Sequence, residues 1–267
     1  MSDEQGLRAR ELTVRYGGVV ANDRVELTVP PGRIVGLIGP NGAGKTTFVD
    51  AVTGFADASG SVSLDGVPLE SSGPHRRRAA GLSRTWQSGE LFSNLTVAEN
   101  VLVAARPGGL RRMWHDLVGR RGPQRDPALE EALAAVGLQD AASTPARELS
   151  LGQQKLVGVA RALAGRCSVL LLDEPAAGLD SHESTAFGDR VRDIAARGPG
   201  VLLIDHDMSL VLGVCDLVYV MSFGRILFEG TPAQARHDPS VVAAYLGASE
   251  ETSEETSEQA PAEVPHA

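Results

Sequence analysis

The sequence predicts an α/β fold built on a largely parallel sheet. Three short apolar runs point to it: "R-I-V-G-L-I" at 33–38, "V-L-L-L-D" at 169–173 and "V-L-L-I-D" at 201–205. Strands so uniformly apolar are buried on both faces, which is the signature of parallel sheets covered by helices. Helix-patterned stretches lie between the runs, and strands alternating with helices build that architecture. The first run leads directly into a glycine-rich turn, "G-P-N-G-A-G-K-T" at 39–46.

The remaining elements follow in order. Strand patterns at about 10–15 and 24–29 precede the first apolar run, and a helix is expected from Gly44 to Thr53. "S-V-S-L-D-G-V" at 61–67 reads as a short hairpin with Asp65-Gly66 as its turn. From about 96 to 165 the pattern is helical. Thr96 with Glu99 forms a capping box, and Asp126-Pro127 is a cap followed by proline at the first helical position. The stretch from about 90 to 165 is too long for a simple crossover and is expected to form a helical subdomain. A helix near 182–196 and strands near 217–221 and 225–229 complete residues 1–248. "S-E-E-T-S-E-E-T" opens a tail, 249–267, that has little to bury and is expected to be disordered. "H-R-R-R" at 75–78 reads as a charged helix start.

The formal net charge is −9, but the tail alone holds six Glu and no Lys or Arg. Residues 1–248 therefore carry 25 basic against 28 acidic side chains, which argues against nucleic acid as the main partner. Cys167 and Cys215 have neither the number nor the spacing of a zinc site or disulfide framework, and read as buried thiols. The acidic amino terminus lacks the pattern of a signal peptide, and no apolar stretch reaches the roughly 20 residues of a membrane span. A location on the cytoplasmic side follows as an expectation.

The chemistry concentrates in a few places. Residues 39–46 fit G-x-x-x-x-G-K-[ST] between a buried strand and a helix. Within the loop from Gly39 and Pro40 to Gly44, successive backbone N–H groups, none of them from Pro40, and the helix start would cradle phosphates. Lys45 would reach the β and γ phosphates, and the Thr46 hydroxyl would ligate Mg²⁺, with Thr47 beside it. Only two of the 25 basic residues are Lys, and one of them stands here, where a compact point charge fits better than a guanidinium fork. Asp173 and Glu174 close an apolar strand. The first could hold Mg²⁺, and the second could polarise an attacking water as general base. His206 ends the next apolar run. Ser150 with Gln153 forms a capping box, so the helix it opens presents its amino end to an anion.

In this order the motifs resemble the nucleotide-binding subunit of ABC transporters over about residues 7–246. "R-T-W-Q" with Gln87, "L-S-L-G-Q-Q" at 149–154, "L-L-L-D-E-P" at 170–175, "A-G-L-D" at 177–180 and His206 stand where that family has its Q-loop, signature, acidic strand end, D-loop and switch. The resemblance implies an α/β fold: a P-loop NTPase core with a mixed sheet, an ABC helical subdomain and an N-terminal antiparallel β region. It implies ATP and Mg²⁺ as cofactors, with Thr46, Gln87 and Asp173 on the metal and Glu174 and His206 catalytic. Tyr16 stands at the position of an aromatic that stacks on adenine. Asn41, Gly42 and Ala43 fall within the phosphate loop. Ser150, Gly152 and Gln153 would act in trans on the partner's ATP, and Asp180 would align the facing sites.

The wording "D-E-P-A-A-G-L", "I-D-H-D-M" and "E-G-T-P…D-P-S-V-V-A-A-Y-L-G" is similar to branched-chain amino acid importers and to related amide and urea importers. Leu151 and Asp205 depart from the commoner residues of that branch. The partners implied are transmembrane permease subunits, a second ATP-binding subunit of the same or a different chain and, indirectly, a periplasmic or extracellular solute-binding protein. "L-F-S-N-L" at 91–95 is the expected site of permease contact. The alternatives are an exporter subunit of the lipopolysaccharide type and a soluble ABC ATPase outside transport. "R-R-M-W-H-D-L-V-G-R-R" at 111–121 reads as a solvated helix, or as a surface for anionic headgroups.

Overall fold

The computed structural model describes residues 5–85, 91–105, 126–205 and 207–245. Gln87, His206, the basic stretch at 111–121 and the acidic tail lie outside the described residues. The chain opens with a hairpin of β1 (Leu7–Tyr16) and β2 (Val19–Val29), followed by β3 (Ile34–Ile38), α1 (Lys45–Thr53), β4 (Ser59–Leu64) and β5 (Val67–Pro68). Next come α2 (Pro74–Ala80), β6 (Leu82–Arg84), α3 (Val97–Ala105), α4 (Pro127–Val136) and α5 (Leu151–Leu163). The remainder alternates: β7 (Val169–Asp173), α6 (Ser181–Ala196), β8 (Gly200–Ile204), α7 (Met208–Val214), β9 (Leu217–Ser222), β10 (Arg225–Gly230) and α8 (Pro232–Ala235). A further helical stretch covers 239–245.

Two sheets result. An antiparallel sheet runs β2-β1-β4-β5, and a mixed sheet runs β10-β9-β3-β8-β7-β6. In the second, β9, β3, β8, β7 and β6 are mutually parallel and β10 closes one edge antiparallel. Period-2 alternation divides each buried strand between two cores. Val35, Leu37, Val169, Leu171, Leu202 and Ile204 face α1 and the antiparallel sheet, where Phe48, Val49 and Val52 meet Leu12 and Leu27. Ile34, Ile38, Leu170, Leu172, Val201 and Leu203 face the other way, onto α5 and α6. Helices α3, α4 and α5 pack on one another.

The first two strands are longer than their apolar pattern. Pairing runs from Leu7 opposite Val29 to Tyr16 opposite Val19, through residues whose side chains point to water. The ladder is interrupted by register shifts between Ala9 and Arg15, with Glu11 and Arg24 at φ of 48° and 50°, and resumes beyond them whatever the side chains. The β4–β5 turn is as expected: Asp65 and Gly66 have φ of 51° and 76°, the two left-handed residues of a type I′ hairpin.

The basic stretch at 75–78 is more than a charged helix start. Arg77 is buried; its Nη1 donates to the carbonyls of Ala51 and Val52 at 2.8 Å and its Nε to Ser72 at 2.7 Å. A guanidinium thus closes the carboxyl end of α1, where carbonyls lack helical partners and the dipole favours a cation. The amino ends of the parallel strands form an edge of their own. There Gly32 N–H donates to Gly198 at 2.9 Å, and Arg33 pairs with Asp216 on the surface.

Candidate functional site

Because β3, β6, β7 and β8 are parallel, their carboxyl ends lie along one edge of the sheet. Ligands of open α/β sheets bind at such an edge. The turn at 39–44 leaves β3 there, Asp173 and Glu174 end β7, Asp205 follows β8, and Thr85 follows β6. Of the residues that sequence reading assigned to one site, the loop from Gly39 and the pair Asp173 and Glu174, far apart in the chain, therefore emerge together.

The turn is held open by its glycines. Gly39, Gly42 and Gly44 have φ of 150°, 76° and 102°. A Cβ on Gly39 would stand 2.0 Å from the Met221 carbonyl oxygen, and one on Gly44 would stand 2.6 Å from that of Ala21. The turn is also tied to segments far away. Asn22, wholly buried on β2, donates from Nδ2 to the Gly44 carbonyl at 3.1 Å. Gly224 N–H, in the β9–β10 turn, donates to the Ala43 carbonyl at 2.9 Å. Gly39 N–H donates to the Tyr245 hydroxyl. Ala43 is buried, whereas Asn41, Gly42 and Thr46 face solvent and Pro40, Gly44 and Thr47 are half-buried. Gly39→Ala is expected to weaken nucleotide binding at least about tenfold, since left-handed strain of about 1–3 kcal/mol adds to the clash. Gly42→Ala, with nothing within 4 Å of its Cβ, carries the conformational strain alone. Titration with a fluorescent ATP analogue separates the two.

Lys45 opens α1, with Nζ donating to the carbonyls of Gly39 at 2.7 Å and Pro40 at 2.9 Å. Burial lowers its pKa, and the nearby carboxylates of Glu174 and Asp173 oppose that shift. An ammonium held on loop carbonyls, under the field of two carboxylates, is placed to exchange those carbonyls for phosphate oxygens. Asp173 is buried at the end of β7, and its Oδ2 accepts from Arg84 Nη2 at 2.8 Å. Arg84 Nη1 reaches Asp50 of α1 at 2.5 Å. One guanidinium fork thus joins the helix of the phosphate loop to the strand-end carboxylate. Glu174 has φ of 46°, a left-handed conformation that non-glycine residues rarely adopt, and its N–H donates to the Ile204 carbonyl at 2.7 Å.

Ser150 caps α5 as expected. Its hydroxyl accepts from Gln153 N–H at 3.3 Å, while Gln153 Oε1 accepts from Ser150 N–H at 3.0 Å. Accepting leaves the hydroxyl its own proton to donate to an anion. Gly152 follows in the first turn, with Glu183 of α6 beside it. Asp180 caps α6, accepting from Glu183 N–H at 2.8 Å. Leu151 lies against Gly178, so the amino end of α5 and the loop before α6 touch within one chain. Tyr16 ends β1 with its ring 55% exposed, a free face for stacking.

Hard oxygen donors suit Mg²⁺, which takes one or two carboxylates or hydroxyls and completes its shell with phosphates and water. The exposed Thr46 hydroxyl and the Asp173 carboxylate, beside Lys45, are such donors. Sequence reading missed Arg84, Asp50, Asn22 and Tyr245. Arg84 stands in the quoted "R-T-W-Q", but its partner Asp50 is 34 positions away and nothing local links them.

The ABC transporter family model matches residues 22–177, and the model of the branched-chain amino acid ATP-binding cassette transporter matches residues 225–251. The chain is 37% identical over 248 residues to the high-affinity branched-chain amino acid transport ATP-binding protein LivG of Escherichia coli K12, covering 90% of this chain and 97% of that one. It is 37% identical over 250 residues to BraF of Pseudomonas aeruginosa, with the same coverage. Among solved structures, a nucleotide-free ATP-binding cassette from an ABC transporter superposes with a TM-score of 0.77 at 30% identity, covering 90% of this chain and 98% of that one. The ADP conformation of an ATP-binding cassette gives 0.79 at 30% identity, covering 91% and 99%. With half its length inside the family model and relatives matched nearly end to end, the chain belongs to the ABC transporter family, as one of its ATP-binding cassettes.

Proposed function

We propose that this chain hydrolyses ATP with Mg²⁺ to power import of branched-chain amino acids or related small solutes through permease subunits in a membrane. The observation that carries the reading is the coincidence of two things in one chain. The phosphate loop leaves β3 and Asp173 with Glu174 closes β7 at one edge of the sheet, where the two carboxylates act on the charge of Lys45, and the carboxyl-terminal segment matches the branched-chain transporter model. The named relatives transport branched-chain amino acids, which supports the choice of solute.

In this reading Lys45 and the loop N–H groups hold the β and γ phosphates, and Tyr16 stacks on adenine. Thr46, Asp173 and Gln87 would hold Mg²⁺, which would supply positive charge against the phosphates. Glu174 takes a proton from water as the water oxygen attacks the γ-phosphorus and the bond to the bridging oxygen of ADP breaks. His206 supports the γ-phosphate. Ser150, Gly152 and Gln153 meet the ATP of a second subunit across a head-to-tail dimer, with Asp180 aligning the two sites. Residues 1–248 form the nucleotide-binding domain, with about 90–165 contributing its helical subdomain. The permease docks by "L-F-S-N-L": Phe92 is half exposed, its backbone is held at both N–H and carbonyl by Asn100, and Arg161 lies 5.9 Å over its ring. No helix among the described residues is long and apolar enough to cross a membrane.

Uptake of radiolabelled leucine, isoleucine and valine by cells lacking the chain is the direct test. Loss of ATP-dependent uptake, restored by the chain and not by Glu174→Gln, is the expected result; unchanged uptake of all three sinks the solute assignment. Ser150→Arg is expected to leave nucleotide affinity of the isolated chain within about twofold while abolishing ATP-driven association. Loss of binding by the isolated chain would sink the trans assignment.

A further inference from the structure

Asp205 is 1% exposed and uses both carboxylate oxygens on backbone donors of two different loops. Its Oδ2 accepts from Ala176 N–H at 3.1 Å, two residues beyond Glu174; its Oδ1 accepts from Asp207 N–H at 3.0 Å. The Glu174 turn is held from a second direction by its own N–H on the Ile204 carbonyl. Asp207 in turn caps α7 through Ser209 and Leu210 and accepts from the buried Ser184 Oγ at 3.1 Å. Ser184 lies in the first turn of α6, the helix that Asp180 caps. One hydrogen-bonded path therefore runs from the end of β7 through Asp205 and Asp207 to the start of α6.

We infer that Asp205 is a positioning residue for hydrolysis: it holds the left-handed turn that aims Glu174, and it locks that turn to the loop after β8. The inference rests on Glu174 being the hydrolytic base. The chemistry demands a carboxylate. Two N–H donors approach two separate oxygens, so an amide at this position satisfies one and turns its NH₂ toward the other, leaving a buried donor facing a donor. A glutamate keeps both acceptors on a longer arm. The turn needs such support because φ of 46° at Glu174 is strained, and strained backbone persists only where its surroundings over-determine it. The two backbone bonds of Asp205 reach the turn after β7 and the loop after β8, so its loss is expected to act on turnover and to leave ATP affinity in place.

The test compares the full-length wild type with Asp205→Glu, Asp205→Asn and Glu174→Gln, reading kcat and KM for ATP hydrolysis and the dissociation constant of a fluorescent ATP analogue. Asp205→Asn is expected to lower kcat about tenfold to a hundredfold, with KM and dissociation constant within about twofold of wild type. Asp205→Glu is expected to restore kcat to within about threefold. If Asp205→Asn does not fold, the pair Asp205→Glu and Asp205→Gln makes the same comparison of carboxylate with amide. Equal kcat for carboxylate and amide overturns the inference, as does a fall in nucleotide affinity parallel to the fall in kcat, which marks a merely structural role. Wild-type turnover in Glu174→Gln overturns the reading of the base and the inference with it. An inactive Glu174→Gln beside a normal Asp205→Asn overturns the inference alone.

Discussion

Glu174→Gln is expected to slow ATP hydrolysis by about 10²–10⁴-fold while ATP binding stays near the wild-type value. The amide has the shape of the carboxylate but cannot accept a proton from water. The left-handed backbone at 174 and its bond to Ile204 involve main chain alone, so the substitution leaves the turn intact. Binding falls to the phosphate loop, whose attachments to Asn22, Gly224 and Tyr245 the substitution does not touch. Removing a negative charge beside Lys45 frees that ammonium further for phosphate, so affinity is expected to hold or rise slightly. Single-turnover hydrolysis measured beside equilibrium binding checks both halves. Turnover within a factor of three of wild type would remove Glu174 from its role.

Arg84→Ala carries the largest expected effect on stability. The guanidinium is 8% exposed and bridges Asp173, also 8% exposed, and Asp50, 32% exposed. Removing one member of a buried ion pair costs about 3–5 kcal/mol, because the charge left behind is uncompensated. Lys45 lies near enough to Asp173 to relieve part of this, and Asp50 can turn to water, so the lower half of that range is expected. Urea unfolding should shift its midpoint down at unchanged slope. Arg84→Lys is expected to recover only part of the loss, since a single ammonium cannot span both carboxylates as the fork does. A change below about 1 kcal/mol for Arg84→Ala would mean that Asp173 finds full compensation elsewhere.

The parallel strands, the phosphate loop and the capping boxes were legible in the sequence because each is a local pattern. Apolar runs mark β3, β7 and β8, the glycines mark the loop, and Ser150 with Gln153 lies three positions apart on one helix turn. The misreadings share an opposite cause. Arg77 reads as surface in "H-R-R-R", yet it is buried because the carboxyl end of α1, some 25 positions earlier, packs against it. Arg84 sits on a three-residue strand too short to show a face, and its partners come from α1 and β7. Asn22 lies before the strand expected at 24–29, and only the fold brings Gly44 to its amide. Asp205 was visible only as a departure from the commoner Glu, and its double hydrogen bond depends on the turn after β7 arriving beside it. Pairs separated by tens of residues leave no periodic trace, so only the folded chain reveals them.

The Gly32–Gly198 edge lies at the end of the sheet away from every group assigned to nucleotide, and this gives the chain a convenient handle for spectroscopy. Burial raises the pKa of both native thiols, that of Cys215 to about 12, so both are expected to label slowly. A cysteine at Arg33, whose exposed pair with Asp216 contributes no more than about 1 kcal/mol, would remain the reactive thiol among the described residues. A dye placed there reports rigid-body movement of the sheet, through distance to a second dye on a partner subunit, without entering the chemistry it follows.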